Sequence, residues 1–209
     1  MCGHNDFIRP KNQAFLDYPK GGSLRSPKSV RHNGKKVSEI IEAHRKFVRG
    51  QDGGARADLT GADLSRIDFE KAELALVNFQ GANLEGANLR EAKLSNANLS
   101  ETNLRGADLR KADLTETDLH KADLTKAHVG GAEMFRANLN GAILRQADLG
   151  VANLRDADVN GADFAGANLK ATILRETKLD GAKLDGVDLS TTLLPKGYLA
   201  SKGQASGRS

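Results

Sequence analysis

Residues 97–129 read ANLSETNLRGADLRKADLTETDLHKADLTKAHV, and every fifth residue of the stretch, from Leu99 through Leu104, Leu109, Leu114, Leu119 and Leu124 to Val129, is aliphatic. The period holds outward in both directions, from Ala57 to Leu194, without an insertion. In the frame set by Leu59 it gives 28 consecutive repeats, with Leu at the centre of 22 and Phe69, Phe79, Val129, Met134, Val159 or Phe164 at the others. Two residues before the centre stands Ala in 20 repeats, and between the two lies Asp or Asn in 19.

Five suits neither regular element. On an α-helix, steps of five turn successive Leu residues by about 140° and scatter them round the cylinder. On a straight strand an odd step sends them to opposite faces. A chain that turns a corner at every repeat keeps each Leu and each Ala on a common axis, and four corners close a square coil of 20 residues. Coils stacked in this way pair backbone to backbone, as a solenoid requires. Gly61, Gly81, Gly86 and Gly106 fall two residues after a centre, where a corner favours positive φ. Lys111, Glu116 and Lys121 at the same slot imply that many corners do without it.

The quintets Ala82-Asn83-Leu84-Glu85-Gly86 and Ala162-Asp163-Phe164-Ala165-Gly166 resemble those of the pentapeptide-repeat proteins. The resemblance covers residues 57–194. It implies an all-β solenoid, a right-handed quadrilateral parallel β-helix of about seven coils, with the central residue and the preceding small residue inside. At about 4.8 Å per coil the rod is roughly 34 Å long. Leu84, Leu89, Leu109, Leu114, Leu124, Leu149, Ala82, Ala107, Ala122 and Ala147 are accordingly core positions.

The rest of the chain divides by charge and pattern. Residues 1–56 carry 12 Lys and Arg against 5 acids, residues 57–194 carry 16 against 22, and residues 195–209 carry 3 against none. An acidic body with basic ends results. Residues 1–36, with Pro10, Pro19, Pro27 and scattered cations, read as a disordered basic tail. Val37, Ile40, Ile41, His44 and Val48 share one helical face, with Phe47 at its edge and Gly50 as the stop, so residues 37–50 read as a capping helix. The β-helix then spans 51–194, and 195–209 form a short C-terminal cap and tail.

Cys2 is the only cysteine, which excludes an internal disulfide framework and suits a reducing, cytoplasmic setting. No apolar run approaches the roughly 18 residues of a membrane span. Nucleophile elbows, phosphate loops and metal-ligand spacings are absent, and a filled core leaves no interior pocket, so no catalytic residue, metal or cofactor is expected.

Residues 20 apart should stack on successive coils. One column reads Glu116, Arg136, Asp156, Glu176, Lys196, another Lys71, Glu91, Lys111, and a third Asp108, His128, Asp148. These read as solvated ladders. Exposed apolar side chains are the better functional lead: Ile143, Ile173 and Leu193 stand where Asp or Asn is usual, Leu194, Tyr198 and Leu199 extend an apolar patch at the C-terminal end, and Phe135 faces outward above Arg155 and Arg175. The first reading is a non-enzymatic scaffold that binds an unknown protein partner through rigid faces, with a homodimer through the C-terminal end. The family supplies an alternative, since some members resemble duplex DNA and bind DNA gyrase, inhibiting it or protecting it from quinolones. A rod of this length would need roughly 20 negative charges to match a duplex, against the net −6 here. No loop interrupts the coils and no long apolar C-terminal helix follows them, in departure from gyrase-binding members. A third reading has the basic segment 1–56 engage nucleic acid or an acidic protein while the rod acts as a spacer.

Overall fold

The computed structural model describes residues 23–198. Its body is a stack of coils in which the residue before a centre pairs in parallel with the residue 20 further on, from Asp58 with Asn78 to Ile173 with Leu193, at every step but Asn168 with Asp188. The pairing is confined to single residues, because the chain turns before a longer strand can form. Leu59 N–H donates to Asn78 O at 2.7 Å and Gly61 N–H to Gln80 O at 2.9 Å, while Asn78 N–H donates back to Ala57 O at 3.1 Å. Within the repeat, Ala62 N–H closes a four-residue turn onto Leu59 O at 3.1 Å.

That turn needs a positive φ at its third residue, and every slot two after a centre from Gly61 to Gly186 has it. Lys111 (φ 58°), Glu116 (φ 56°) and Lys121 (φ 55°) share it with the glycines, which corrects the expectation that non-glycine corners avoid it. The bent backbone aims the N–H of the slot at the next coil, as in Lys111 to Gly130 O at 3.1 Å, and each coil holds the conformation of its neighbours.

Four faces result: face a follows Leu59, Phe79 and Leu99, face b Leu64, Leu84 and Leu104, face c Phe69, Leu89 and Leu109, and face d Leu74, Leu94 and Leu114. Leu84, Leu89, Leu109, Leu114, Leu124 and Leu149 are buried, as are Ala82, Ala107, Ala122 and Ala147. Thr117, Thr172, Thr177 and Thr192 occupy the Ala slot with a polar group, and each hydroxyl donates to a carbonyl 23 residues earlier at 2.6–2.9 Å. A buried hydroxyl so satisfied carries no desolvation penalty of an orphan.

Outside, the Asp or Asn before each centre accepts the N–H two residues on, as Asp58 does from Thr60 at 3.1 Å. Asn side chains then link coils, with Asn98 to Asn78 at 3.0 Å and Asn168 to Asp148 at 2.7 Å. The charged columns also meet: Lys71 lies 3.8 Å from Glu91, and Arg136 reaches Glu116 at 3.9 Å and Asp156 at 3.0 Å. Such exposed pairs contribute little each.

Upstream of the coils, α1 runs Val37–Val48 with Val37, Ile41 and His44 buried. The Lys36 N–H donates to Glu39 Oε2 at 3.1 Å at its start, and Gly50 at φ 64° ends it. Before it, β1 (Arg31–His32) and β2 (Lys35–Lys36) form an antiparallel hairpin. Arg25 pairs with Ile67, donating to Arg66 O at 2.7 Å and accepting from Asp68 N–H at 2.9 Å. The disordered tail expected over 1–36 is therefore corrected for 23–36; residues 1–22 lie outside the described part. The hairpin turn is Asn33-Gly34 at φ 49° and 79°, a dipeptide favoured in two-residue hairpin turns, set among basic residues that otherwise resemble a tail.

Candidate functional site: an aromatic, arginine and aliphatic patch on one face

On each straight side, residues two apart point the same way, so the residue before a centre and the residue after it form two outward columns. On face d the lower coils carry Glu133, Asn153, Ile173 and Leu193 in one column and Phe135, Arg155, Arg175 and Pro195 in the other. Phe135, Ile173 and Leu193, drawn from distant stretches of sequence, thus share one surface. Leu193 is 42% exposed, and Phe135 and Ile173 are part-exposed.

The arginines are held unequally. The Phe135 ring lies 4.8 Å from the Arg136 guanidinium and 5.2 Å from that of Arg155, both in cation–π range. Arg136 is neutralised by Asp156 and Glu116, and Arg155 reaches Glu176 at 3.5 Å. Arg175, exposed and one coil beyond Arg155, has no side-chain partner among the described residues.

Local structure here is given up for the surface. Asn153 accepts the Arg155 N–H at 3.2 Å in the usual turn and donates to Glu133 Oε2 at 2.8 Å. Ile173 can do neither, and the Arg175 N–H loses its side-chain acceptor. At the next coil Leu193 is followed by Pro195, which has no N–H to satisfy.

The other singled-out residues lie elsewhere. Ile143 sits on face b between Asp123 and Asp163, which are occupied by Arg105 at 2.9 Å and Arg145 at 2.7 Å. Leu194 and Tyr198 are half-buried against the core, so they do not join Leu193 in an exposed patch. Leu199 lies outside the described residues. In the column Asp108, His128, Asp148, the backbones pair, yet the Asp108 carboxylate is taken by the Nε and Nη2 of Arg110 and the His128 Nδ1 is buried without a partner among the described residues. Burial opposes ionisation of Asp108, but the Arg110 fork and its backbone N–H outweigh that and hold the carboxyl below its ordinary range.

His44, which in the sequence is only one member of a helical face, is a buried polar group of the N-terminal packing. Its Nε2 donates to Ala75 O at 2.7 Å and its Nδ1 accepts from Ala57 N–H at 3.2 Å, a pairing only the neutral ring can make. Burial, helped by the charge of Arg56, pulls the imidazole below its ordinary value despite the bond to Ala75. Arg56 itself donates from Nε to Leu76 O at 2.6 Å. Among the described residues no three of His, Cys, Asp and Glu gather to hold a metal, and no helix is long and apolar enough to cross a membrane.

A coiled body paired every 20 residues, with its quintet centres inward, defines the class. The sequence profile described as pentapeptide repeats matches in eight copies over residues 55–90, 92–131, 132–170 and 152–191. The chain belongs to the pentapeptide repeat family, whose solved members form right-handed quadrilateral β-helices. Among solved structures it is similar to HetL, a pentapeptide repeat protein involved in heterocyst differentiation regulation from the cyanobacterium Nostoc sp. strain PCC 7120, at 35% identity over 68% of this chain and 72% of that one, TM-score 0.35. A pentapeptide repeat protein of the Arabidopsis thaliana thylakoid lumen is 31% identical over 53% of this chain and 66% of its own, TM-score 0.28. QnrB1, a plasmid-mediated fluoroquinolone resistance protein, is 22% identical over 69% and 80%, TM-score 0.31. No curated protein matches the chain.

Proposed function

We propose that this protein is a non-enzymatic, cytoplasmic scaffold that binds a protein partner through face d, by the patch of Phe135, Arg155, Ile173, Arg175 and Leu193. The observation that carries this reading is the loss of the Asp or Asn slot at two successive coils of one face, where Ile173 and Leu193 replace a self-satisfied polar side chain with aliphatic surface. Aromatic and arginine side chains beside aliphatic surface are the composition of binding hot spots. The scaffold would comprise seven coils, closed at the N-terminal end by α1 and the hairpin. At the other end Leu184, Val187 and Leu189 are only partly buried, and a second copy meeting them end to end would complete the core. Affinity capture with the intact chain, beside the Ile173→Asn/Leu193→Asn variant, tests the reading: a partner retained by the first and lost by the second supports it, and a partner retained equally by both overturns it.

The second reading is a duplex-like surface that binds DNA gyrase. Face a favours it, since Asp58, Glu101, Asp118, Asp158 and Asp180 meet only Lys121 and Lys178 among its outward charges. Gyrase supercoiling titrated with the protein, beside Asp118→Lys/Asp158→Lys, separates the two. Inhibition that the variant loses would favour mimicry, and no effect would leave face d.

A further inference from the structure

We propose that the partner segment held by face d is an acidic peptide stretch carrying aliphatic side chains, an inference that rests on face d being the binding surface. Two columns set its chemistry. The aliphatic column, Ile173 over Leu193 with Pro195 beside it, offers apolar area next to two arginines, Arg155 and Arg175, whose backbones lie one coil apart, about 4.8 Å. The structure supplies one counter-anion for the two: Glu176 pairs with Arg155, and Arg175 has none among the described residues. A carboxylate arriving at Arg175 would form the bidentate pair that guanidinium geometry favours, in a setting that neighbouring aliphatic groups make drier.

The same surroundings select against other occupants. The adjoining corner column, Glu116, Arg136, Asp156, Glu176 and Lys196, mixes both signs with one acid in excess, so it offers a polyanion such as nucleic acid no continuous basic track, whereas a peptide with one or two carboxylates needs none. Ile173 and Leu193 give a phosphate backbone nothing to bury against. The chain's own C-terminal stretch, with Lys202 and Arg208 and no acid after Asp188, has the wrong sign to satisfy Arg175.

The test uses the full chain and three fluorescently labelled extended peptides, alternating Glu with Leu, Lys with Leu, and Glu with Ser, followed by anisotropy. The Glu-Leu peptide should bind, the other two should bind about tenfold more weakly or worse, and Arg175→Glu should weaken the Glu-Leu complex by about tenfold. Arg175→Ala, at an exposed position, should weaken it less, and an unchanged far-ultraviolet spectrum shows both variants folded. No binding of the Glu-Leu peptide, or binding indifferent to Arg175→Glu, overturns the proposal. If the Lys-Leu peptide binds instead and is lost on Ile173→Asn, the acidic chemistry fails while face d stands as the surface. If every peptide that binds ignores Ile173→Asn, Leu193→Asp and Arg175→Glu together, face d fails with it.

Discussion

The two ends of the solenoid face the same physical problem and meet it differently. An end coil has backbone groups and core side chains with no coil beyond them. At the N-terminal end separate pieces supply the missing partners: Arg25 takes the place of a preceding strand beside Ile67, His44 and Arg56 occupy the carbonyls of Ala75 and Leu76, and Ile41 adds to the core. At the C-terminal end the stack loosens instead. The pair that would join Asn168 to Asp188 is missing among the described residues, the Ala171 N–H turns to the Thr191 hydroxyl at 3.3 Å, and Ala182, Leu184, Val187 and Leu189 are only partly buried. A repeat sequence thus specifies the middle of a rod, and its ends are stable only to the extent that other sequence closes them.

The largest test of this difference is a matched truncation. Leu114, buried in the middle, should lose about 2–5 kcal/mol on Leu114→Ala through the cavity it leaves, whereas Leu189→Ala at the loosened end should lose less than half as much. Thermal or denaturant melts of the two variants decide it. Equal losses would show that the last coil is as well packed as the rest, and would point to an end covered in solution. Ala122→Leu, which forces bulk into the narrow slot, should destabilise by about 1–3 kcal/mol.

A second test concerns how tightly the upstream segment docks. A Cβ built on Gly54 would stand 2.3 Å from the Phe47 backbone nitrogen and 2.6 Å from its Cα, so the chain entering the first coil crosses α1 at a distance only glycine allows. Gly54→Ala should therefore lift α1 from the coils and cost about 1–3 kcal/mol, read as faster amide exchange in α1 with the middle coils unchanged. Gly130→Ala, whose nearest neighbour would be Gly150 O at 3.5 Å, makes the control.

These particular residues also show what was readable beforehand. The five-residue period is legible because every coil repeats one packing solution, so a single quintet determines which side chains face inward. The patch on face d was half legible: the aliphatic substitutions at Ile173 and Leu193 stand out against the repeat, and the 20-residue offset brings Phe135 to Arg155. What the offset does not reveal is which arginine finds an acid, because Glu176 is in the next column and long side chains choose among neighbours. The N-terminal packing was least legible, since Arg25, His44 and Arg56 act on backbone atoms of another segment, and backbone carbonyls carry no sequence signal. Asn33-Gly34 was the one local clue, and its basic flanks hid it.

Acidification separates the ends by a smaller margin. His44 has its folded value below the unfolded one, so the stability linked to its neutral ring is fully present above its ordinary value of about 6.5 and is lost as the pH falls below that. Protonation would place a hydrogen on Nδ1, where the Ala57 N–H already points. Amide exchange in α1 should quicken between pH 7 and pH 5, roughly the window around that value and well above the usual titration of carboxylates, while the C-terminal coil is unchanged. His44→Gln should be less stable at neutral pH and should flatten this dependence. A slope that survives the substitution would assign it to another group.

The smallest expected effect compares two corners on face c. Val151 is held at φ 54° in the left-handed region, where a β-branched side chain is strained, and it is 64% exposed, so its side chain gains little from packing. Thr191, at the same slot of the terminal coil, is not among the positive-φ residues. Glycine at position 151 therefore relieves strain and should raise stability by about 1 kcal/mol, the left-handed cost exceeding the added freedom of the unfolded chain. Glycine at position 191 relieves nothing and adds only that freedom, so Thr191→Gly should be neutral or destabilising by about 0.5 kcal/mol. Opposite signs in paired melts would show that neighbouring coils impose the corner in the middle and no longer do so at the end; a gain at both positions would mean that the terminal corner also adopts the strained turn in solution.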